Sequence, residues 1–415
     1  MAVCNVCSDV LFEILSRVEL KTLRKCRLLS RECNSLTYES SFIRLHCQRT
    51  KTIAGYFIQS LRSNWYHSTF LSIDNPGLDP MLSLDFLPGR RPVKILATAD
   101  QGLMFCVSQF PENHYYICKP STKQWETIPS PNPGYFTRKI AMVELRSDPL
   151  LFKIVRLSDG ENRDSESETE LDYDYKHFQC EIFNSNTWAW KRLNDLMLSY
   201  DEYFNTKPAI SAYGGLHWLT SNKDKNNILS FHENKESWEL VPLPDSLCQI
   251  DYKYSVNLAQ YEGKLALICV RCDSDLLELW IIKDFYGKKL WTKRFTVNLQ
   301  AFKEEIGHSS AYSFYNKDTL LMTEAFGTIF YNFKNGQYDR LKLGSKHMNI
   351  ESAFFVQTNY EPIQLRRPKK DFLFSIVPAP IFLVFCPHKE GQRVNRGNLF
   401  DMILLAVEVL MLVSF

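Results

Sequence analysis

Cysteine, histidine and acidic side chains are the groups that could hold a metal or drive nucleophilic chemistry. Two Cys-x-x-Cys pairs occur, Cys4/Cys7 and Cys269/Cys272, a spacing at which two thiolates can share one tetrahedral ion. Such an ion needs four ligands, and neither pair has a further His or Cys at zinc-finger spacing. Cys4 and Cys7 stand at the start of the chain. Cys269 and Cys272 fall in a strand pattern, where positions three apart point to opposite faces. The nine His are scattered, and no Gly-x-Ser-x-Gly, Walker loop or His-Glu-x-x-His run occurs. Trp125, Trp190, Trp238 and Trp291 could cage a ligand, but their regular spacing reads as the packing rings of a repeat. The expectation is a non-catalytic protein with no metal and no cofactor.

Composition narrows the binding classes. A net charge of +2, with Lys and Arg spread along the chain, gives no basic field for nucleic acid. Residues 1–15 lack a basic region followed by an apolar core. The twelve Cys therefore read as reduced thiols, which places the chain in the cytoplasm or nucleus.

From Val6 to Gln48 the apolar period is near 3.6. Val10, Leu11, Ile14, Leu15 and Val18 share one helical face, with Glu13 and Arg17 turned away. Ser8 or Asp9 is placed to cap this helix. Lys21–Leu29 and Arg31–Tyr38 give two further short helices, ahead of the apolar triplet Phe42, Ile43 and Leu45. Three helices in about 40 residues make too small a core to stand alone, so the module should lean on a partner.

The texture changes after His46. Short apolar or aromatic runs alternate with Gly, Pro, Asn and Asp turns. Tyr116–Pro129, Cys180–Leu193 and Ile228–Pro242 each read as strand, turn, strand, with a Trp in the second strand. Leu279–Phe295 is a looser copy, and Ile329–Leu341 has Tyr338 in the Trp place. Ring positions 125, 190, 238, 291 and 338 are 65, 48, 53 and 47 residues apart, the period of a four-stranded kelch-type blade. The upstream runs Gly102–Cys106, Gly215–Leu219, Gly263–Ile268 and Thr319–Met322 add a buried strand to each unit. The long first interval holds Glu161–Asp174, seven acids in fourteen residues, read as a solvated inserted loop. The fold class is thus a small three-helix domain, 1–50, followed by an all-β propeller of about six blades, 51–365.

Two stretches resemble known families. Asp9–Val18, Leu20–Leu23, Cys26-Arg27, Ser30-Arg31, Asn34–Leu36 and Phe42–His46 together resemble the plant F-box, collinear over about 40 residues. Gly102-Leu103, Cys118–Thr122 with Trp125, Gly214–Leu219 and Leu279–Asp284 resemble the F-box-associated, kelch-like domain of plant F-box proteins. The resemblance implies a substrate-recognition subunit of a Skp–cullin–F-box ubiquitin ligase. Val6, Val10, Leu11, Ile14, Leu15, Val18, Leu20, Leu23 and Leu29 would dock the Skp-type adaptor, and through it a cullin scaffold. The propeller would hold a protein substrate. The chain departs from the F-box pattern at Val6-Cys7 (usually Leu-Pro), Glu19 (usually Pro) and Cys33 (usually Trp). Shrinking a buried Trp to Cys forfeits on the order of 2–4 kcal/mol of packing unless neighbours refill the space. The alternative is an interaction protein whose propeller binds partners and whose F-box is degenerate.

Residues 366–415 fit neither domain. Phe372–Cys386 is apolar but short for a span and broken by Pro378 and Pro380. Leu399–Phe415 carries Asp401 and Glu408, costly inside a bilayer. A membrane anchor is not the expected role of this tail.

Overall fold

In a computed structural model the described residues are 7–73, 82–89, 92–108, 113–147, 149–159, 175–223, 225–248, 254–271, 273–285, 288–307, 309–344, 347 and 349–363. Val6, Cys4, Cys272, the acidic stretch 161–174 and the tail 366–415 lie outside them. Four helices open the chain: α1 (Ser8–Leu15), α2 (Leu20–Leu29), α3 (Arg31–Leu36) and α4 (Ser40–Thr50). One more helix than expected is present, because the Phe42-Ile43 triplet belongs to a full helix. Phe42, Ile43, His46 and Cys47 all face inward from α4, the one-four-five spacing of a helical stripe. Ser8 and Asp9 do not cap α1. Cys7 occupies the cap position with no side-chain bond, and Ser8 Oγ instead donates to Glu32 Oε1 at 2.6 Å. Ser30 does cap α3, accepting from Cys33 N at 3.0 Å.

Six antiparallel sheets follow, and they form a six-bladed β-propeller. Blade 2 (Lys94–Thr98, Met104–Ser108, His114–Lys119, Gln124–Ile128), blade 5 (Tyr254–Tyr261, Lys264–Arg271, Leu276–Phe285, Lys288–Asn298) and blade 6 (Ser310–Phe314, Thr319–Glu324, Gly327–Asn332, Tyr338–Lys342) are simple four-stranded meanders. Blade 3 (Thr137–Ser147, Leu150–Asp159, Tyr175–Asn184) ends in an outer strand broken into Ala189–Arg192 and Leu196–Ser199. Blade 4 (Gly215–Ser221, Asn226–His232, Ser237–Pro242) has its inner strand split into Tyr203–Phe204 and Ile210–Ala212. Blade 1 joins both ends of the ring. Ile53–Arg62 is its middle strand, pairing with Trp65–Leu71 on one side and with Ile350–Thr358 on the other, Phe57 lying opposite Phe354.

The alternation of strand side chains explains why the middle strands are apolar throughout. In Met104–Ser108, Met104 and Cys106 face Ile53, Phe57 and Phe354 of blade 1, while Phe105 and Val107 face Met142, Phe152 and Ile154 of blade 3. In blade 6, Leu320 and Met322 pack on blade 5, and Leu321 packs with Tyr56 and Ile58 of blade 1. A strand covered on both faces has no polar side to show. Six such cores, one between each pair of neighbouring blades, close the ring. The buried Gln59 ties blade 1 to blade 2: its Oε1 accepts from Ile95 N at 2.7 Å and its Nε2 donates to Ile95 O at 3.3 Å.

The expected ring positions all fall on outer strands. Trp190 Nε1 donates to Pro129 O at 2.7 Å, and Trp291 Nε1 donates to Pro242 O at 3.0 Å. Each thus reaches back to the end of the preceding blade's outer strand. Trp238 lies 4.8 Å from the Phe231 ring, Trp125 sits edge-on to Tyr116, and Tyr338 Oη donates to Glu305 at 2.6 Å. They pack the repeat.

Candidate functional site

The helical module has its own small core. Leu15, Leu23, Cys26, Cys33, Leu36 and Phe42 are buried together, with Leu11, Phe12 and Val18 partly covered. Phe42 is the centre, edge-on to Phe12 at 5.4 Å and stacked on His46 at 5.7 Å. Burial holds the His46 imidazole below its usual pKa, and its Nε2–H donates to Val18 O at 2.9 Å. Cys33, at the position where the F-box pattern usually has Trp, is buried in this core. On the outside, Glu13 joins α1 to α4: it accepts from Arg49 at 2.9 Å and from Arg17 in the turn that follows α1. Arg49 first, then Arg17, holds its carboxyl below the usual range.

The structure separates the sequence-predicted docking residues into two groups. Leu15, Leu20 and Leu23 are fully buried and can reach a partner only through the shape they support. Leu11, Ile14 and Val18 are half-buried. Val10 (50% exposed) and Leu29 (53%) are free, and Val6 lies outside the described residues. Leu28, at 88% exposed, is the residue that sequence reasoning missed. It sits five positions after Leu23, which turns it to the other side of α2. An exposed Leu pair at the end of an otherwise charged helix is the signal that could have found it.

Polar contacts at three turns between first and second strands help seat this module on the ring. Asn34 Nδ2 donates to Glu262 O at 3.1 Å, in the blade 5 turn. Gly263 in that turn (φ +72°) leaves room for Tyr38, since a Cβ there would stand 3.1 Å from Tyr38 Oη. In blade 6, Lys317 N donates to Tyr38 O at 3.0 Å and Lys317 Nζ to Glu39 at 3.3 Å. Across the ring, Arg24 of α2 pairs with Asp100 of the blade 2 turn at 3.3 Å. Its Nη1 is 3.8 Å from Glu144 of blade 3, too long for a hydrogen bond. Burial first of all raises the Glu144 carboxyl to about 7. Arg24 and Glu39 thus bracket a module that lies across one face of the propeller. The α4 residues Ile43 and Cys47 complete the anchorage, packing with Ala54, Tyr315 and Phe330. Among the described residues no group of three or more His, Cys, Asp or Glu is placed to hold a metal ion.

Comparison with known proteins agrees with this architecture. Residues 72–362 match the F-box associated beta propeller domain. The chain is 36% identical to the F-box protein At5g41720 of Arabidopsis thaliana over 161 residues, 36% of this chain and 85% of the relative. It is 24% identical to the F-box protein CPR1 of the same plant over 309 residues, 70% of this chain and 72% of the relative. Among solved structures, the six-bladed fungal lectin from Aleuria aurantia matches at 11% identity and a TM-score of 0.39, over 71% of this chain and 97% of the lectin. That score is too low to carry an argument. The chain belongs to the plant F-box proteins that carry an F-box associated beta propeller domain.

Proposed function

We propose that this protein is the substrate-recognition subunit of a Skp–cullin–F-box ubiquitin ligase, working in the cytoplasm or nucleus. The helical module docks a Skp-type adaptor and the propeller holds a protein substrate. One observation carries the reading: the module is fixed to the ring through Arg24, Asn34, Tyr38 and Glu39, yet Val10, Leu28 and Leu29 stay exposed. Exposed apolar side chains on a module held firmly elsewhere suit a partner's groove. A receptor of this kind supplies no catalytic group. It raises the effective concentration of substrate beside the ubiquitin-charged enzyme.

The test uses the full chain and a purified Skp-type adaptor in a titration. Val10→Asp/Leu28→Asp places charge only on exposed positions, so its melting curve should match that of the parent. The expected result is a Kd raised at least about tenfold. Leu15→Asp is the contrasting variant, since it buries a charge in the module core and should unfold the module. Equal adaptor affinity for parent and Val10→Asp/Leu28→Asp would refute docking through this surface. No adaptor binding by the parent would favour the interaction protein with a degenerate F-box.

A further inference from the structure

The first strands of successive blades neighbour one another around the ring and so line its centre. Their direction is set by the helical module. Lys94–Thr98 runs into the turn that holds Asp100, and Thr137–Ser147 runs past Glu144, both beside Arg24. The starts of these strands therefore lie at the other mouth. Lys94 and Lys139 occupy those starts; five residues of strand put Lys139 about 17 Å from Glu144. Lys207 reaches the same region from the break in the inner strand of blade 4, its ammonium 4.4 Å from the centre of the Tyr312 ring of blade 6. Lys139 donates to the carbonyls of Asn205 and Lys207. Lys94 donates to Tyr66 Oη at 2.9 Å and to Glu351 at 3.2 Å.

The charges do not balance. Of the three ammoniums from blades 2, 3 and 4, Lys94 pairs with a carboxylate, Glu351. Among the described residues neither Lys139 nor Lys207 has an acidic partner. Each ammonium has three donors, and Lys139 and Lys94 spend two each on the bonds named above. At least one donor on each of Lys94 and Lys139 is left over, and Lys207 has more. Both Lys139 and Lys207 are held down to about 8, in each case first by burial, the state of cations short of a counter-ion. All three side chains are half-buried rather than sealed, so a small solute can reach them.

We propose that the channel mouth opposite the helical module binds a phosphate-type oxyanion through Lys94, Lys139 and Lys207. A compact, multiply charged group with several acceptor oxygens uses all three ammoniums at once, as point-charge phosphate binders do. The group can come from a free small phosphate or from a phosphorylated side chain of a captured protein. The site does not depend on adaptor docking, and its test contains no adaptor, so either reading can fail alone.

The test is calorimetric titration of the full chain with inorganic phosphate, against a chloride control. The parent should bind, and its melting temperature should rise with phosphate concentration. Lys139→Met/Lys207→Met should weaken binding at least about tenfold, while Lys207→Arg should stay within about threefold. A phosphoserine hexapeptide with uncharged flanks and its unphosphorylated twin then separate the sources. Tighter binding of the phosphopeptide than of free phosphate, by about tenfold or more, assigns the group to a protein chain, and equal binding assigns it to a free anion. The proposal is overturned if phosphate gives no heat above chloride and no melting shift in the parent. It is also overturned if a folded double variant binds as the parent does.

Discussion

Glu144 makes a pH dependence that one substitution should erase. Its side chain is 8% exposed, faces Arg24 and Asp100 from the helical side, and accepts from Gln101 Nε2 at 3.2 Å. Burial, offset in part by Arg24, lifts its pKa from 4.5 to about 7. The folded protein therefore keeps a proton that the unfolded chain releases, and stability falls as pH rises from about 4.5 through about 7. An interval of about 2.5 units at about 1.4 kcal/mol each sets the ceiling; between pH 5 and 7.5 the loss is on the order of 2–3 kcal/mol. Glu144→Gln keeps the acceptor for Gln101 and removes the titration. Urea unfolding of both proteins at half-unit steps from pH 5 to 7.5 gives the difference curve. It should rise in favour of the variant by that amount. Lys119, lowered to about 8 first by burial and held up in part by Glu144, titrates with the opposite sign from the upper edge of this window, so the comparison is read from pH 5 to 7.5. Profiles parallel to within about 0.5 kcal/mol would refute the buried, proton-holding carboxylate.

Three further outcomes follow from packing. Phe42→Ala should cost about 3–5 kcal/mol, read as lost hydrogen-exchange protection in α1–α3 while the blade strands keep theirs, because Phe42 lies in the helical core alone. Gly102→Ala should destabilise by roughly 1–3 kcal/mol, since a Cβ at φ +74° would stand 2.5 Å from Thr358 Cβ. Gly336→Ala, at φ +75° with nothing within 4 Å, should cost less in the same denaturation series. Trp190→Phe removes the bond to Pro129 O and should cost about 0.5–1.5 kcal/mol, with the fold kept.

The blades were legible because their outer-strand rings recur near every fiftieth residue and their middle strands are apolar on both faces. The split strands of blades 3 and 4 were not, since a break at Leu193–Asp195 or Asn205–Ala209 leaves the apolar count unchanged. Helix α4 hid behind His46 and Cys47, which are inward-facing but not read as apolar. On the module, periodicity marked one face of α1 without showing which part neighbours cover. That is why Leu15, Leu20 and Leu23 stood beside Val10 and Leu29 as equals. The channel lysines left no trace at all, because each comes from a different blade, and only ring closure brings them together.

Blade 1 ties synthesis to folding. Ile53–Arg62 leaves the ribosome nearly 300 residues before its partner Ile350–Thr358, which at about 5–20 residues per second means a wait of roughly 15–60 s. Throughout that wait Tyr56, Phe57 and Ile58 have no ring to enter, and α4 lacks Tyr315 and Phe330. Contacts of such long sequence separation are also slow to form once available. The nascent protein is therefore an aggregation-exposed open arc for most of its synthesis, and the yield of closed rings should follow the supply of chaperones that shield an unpaired strand edge.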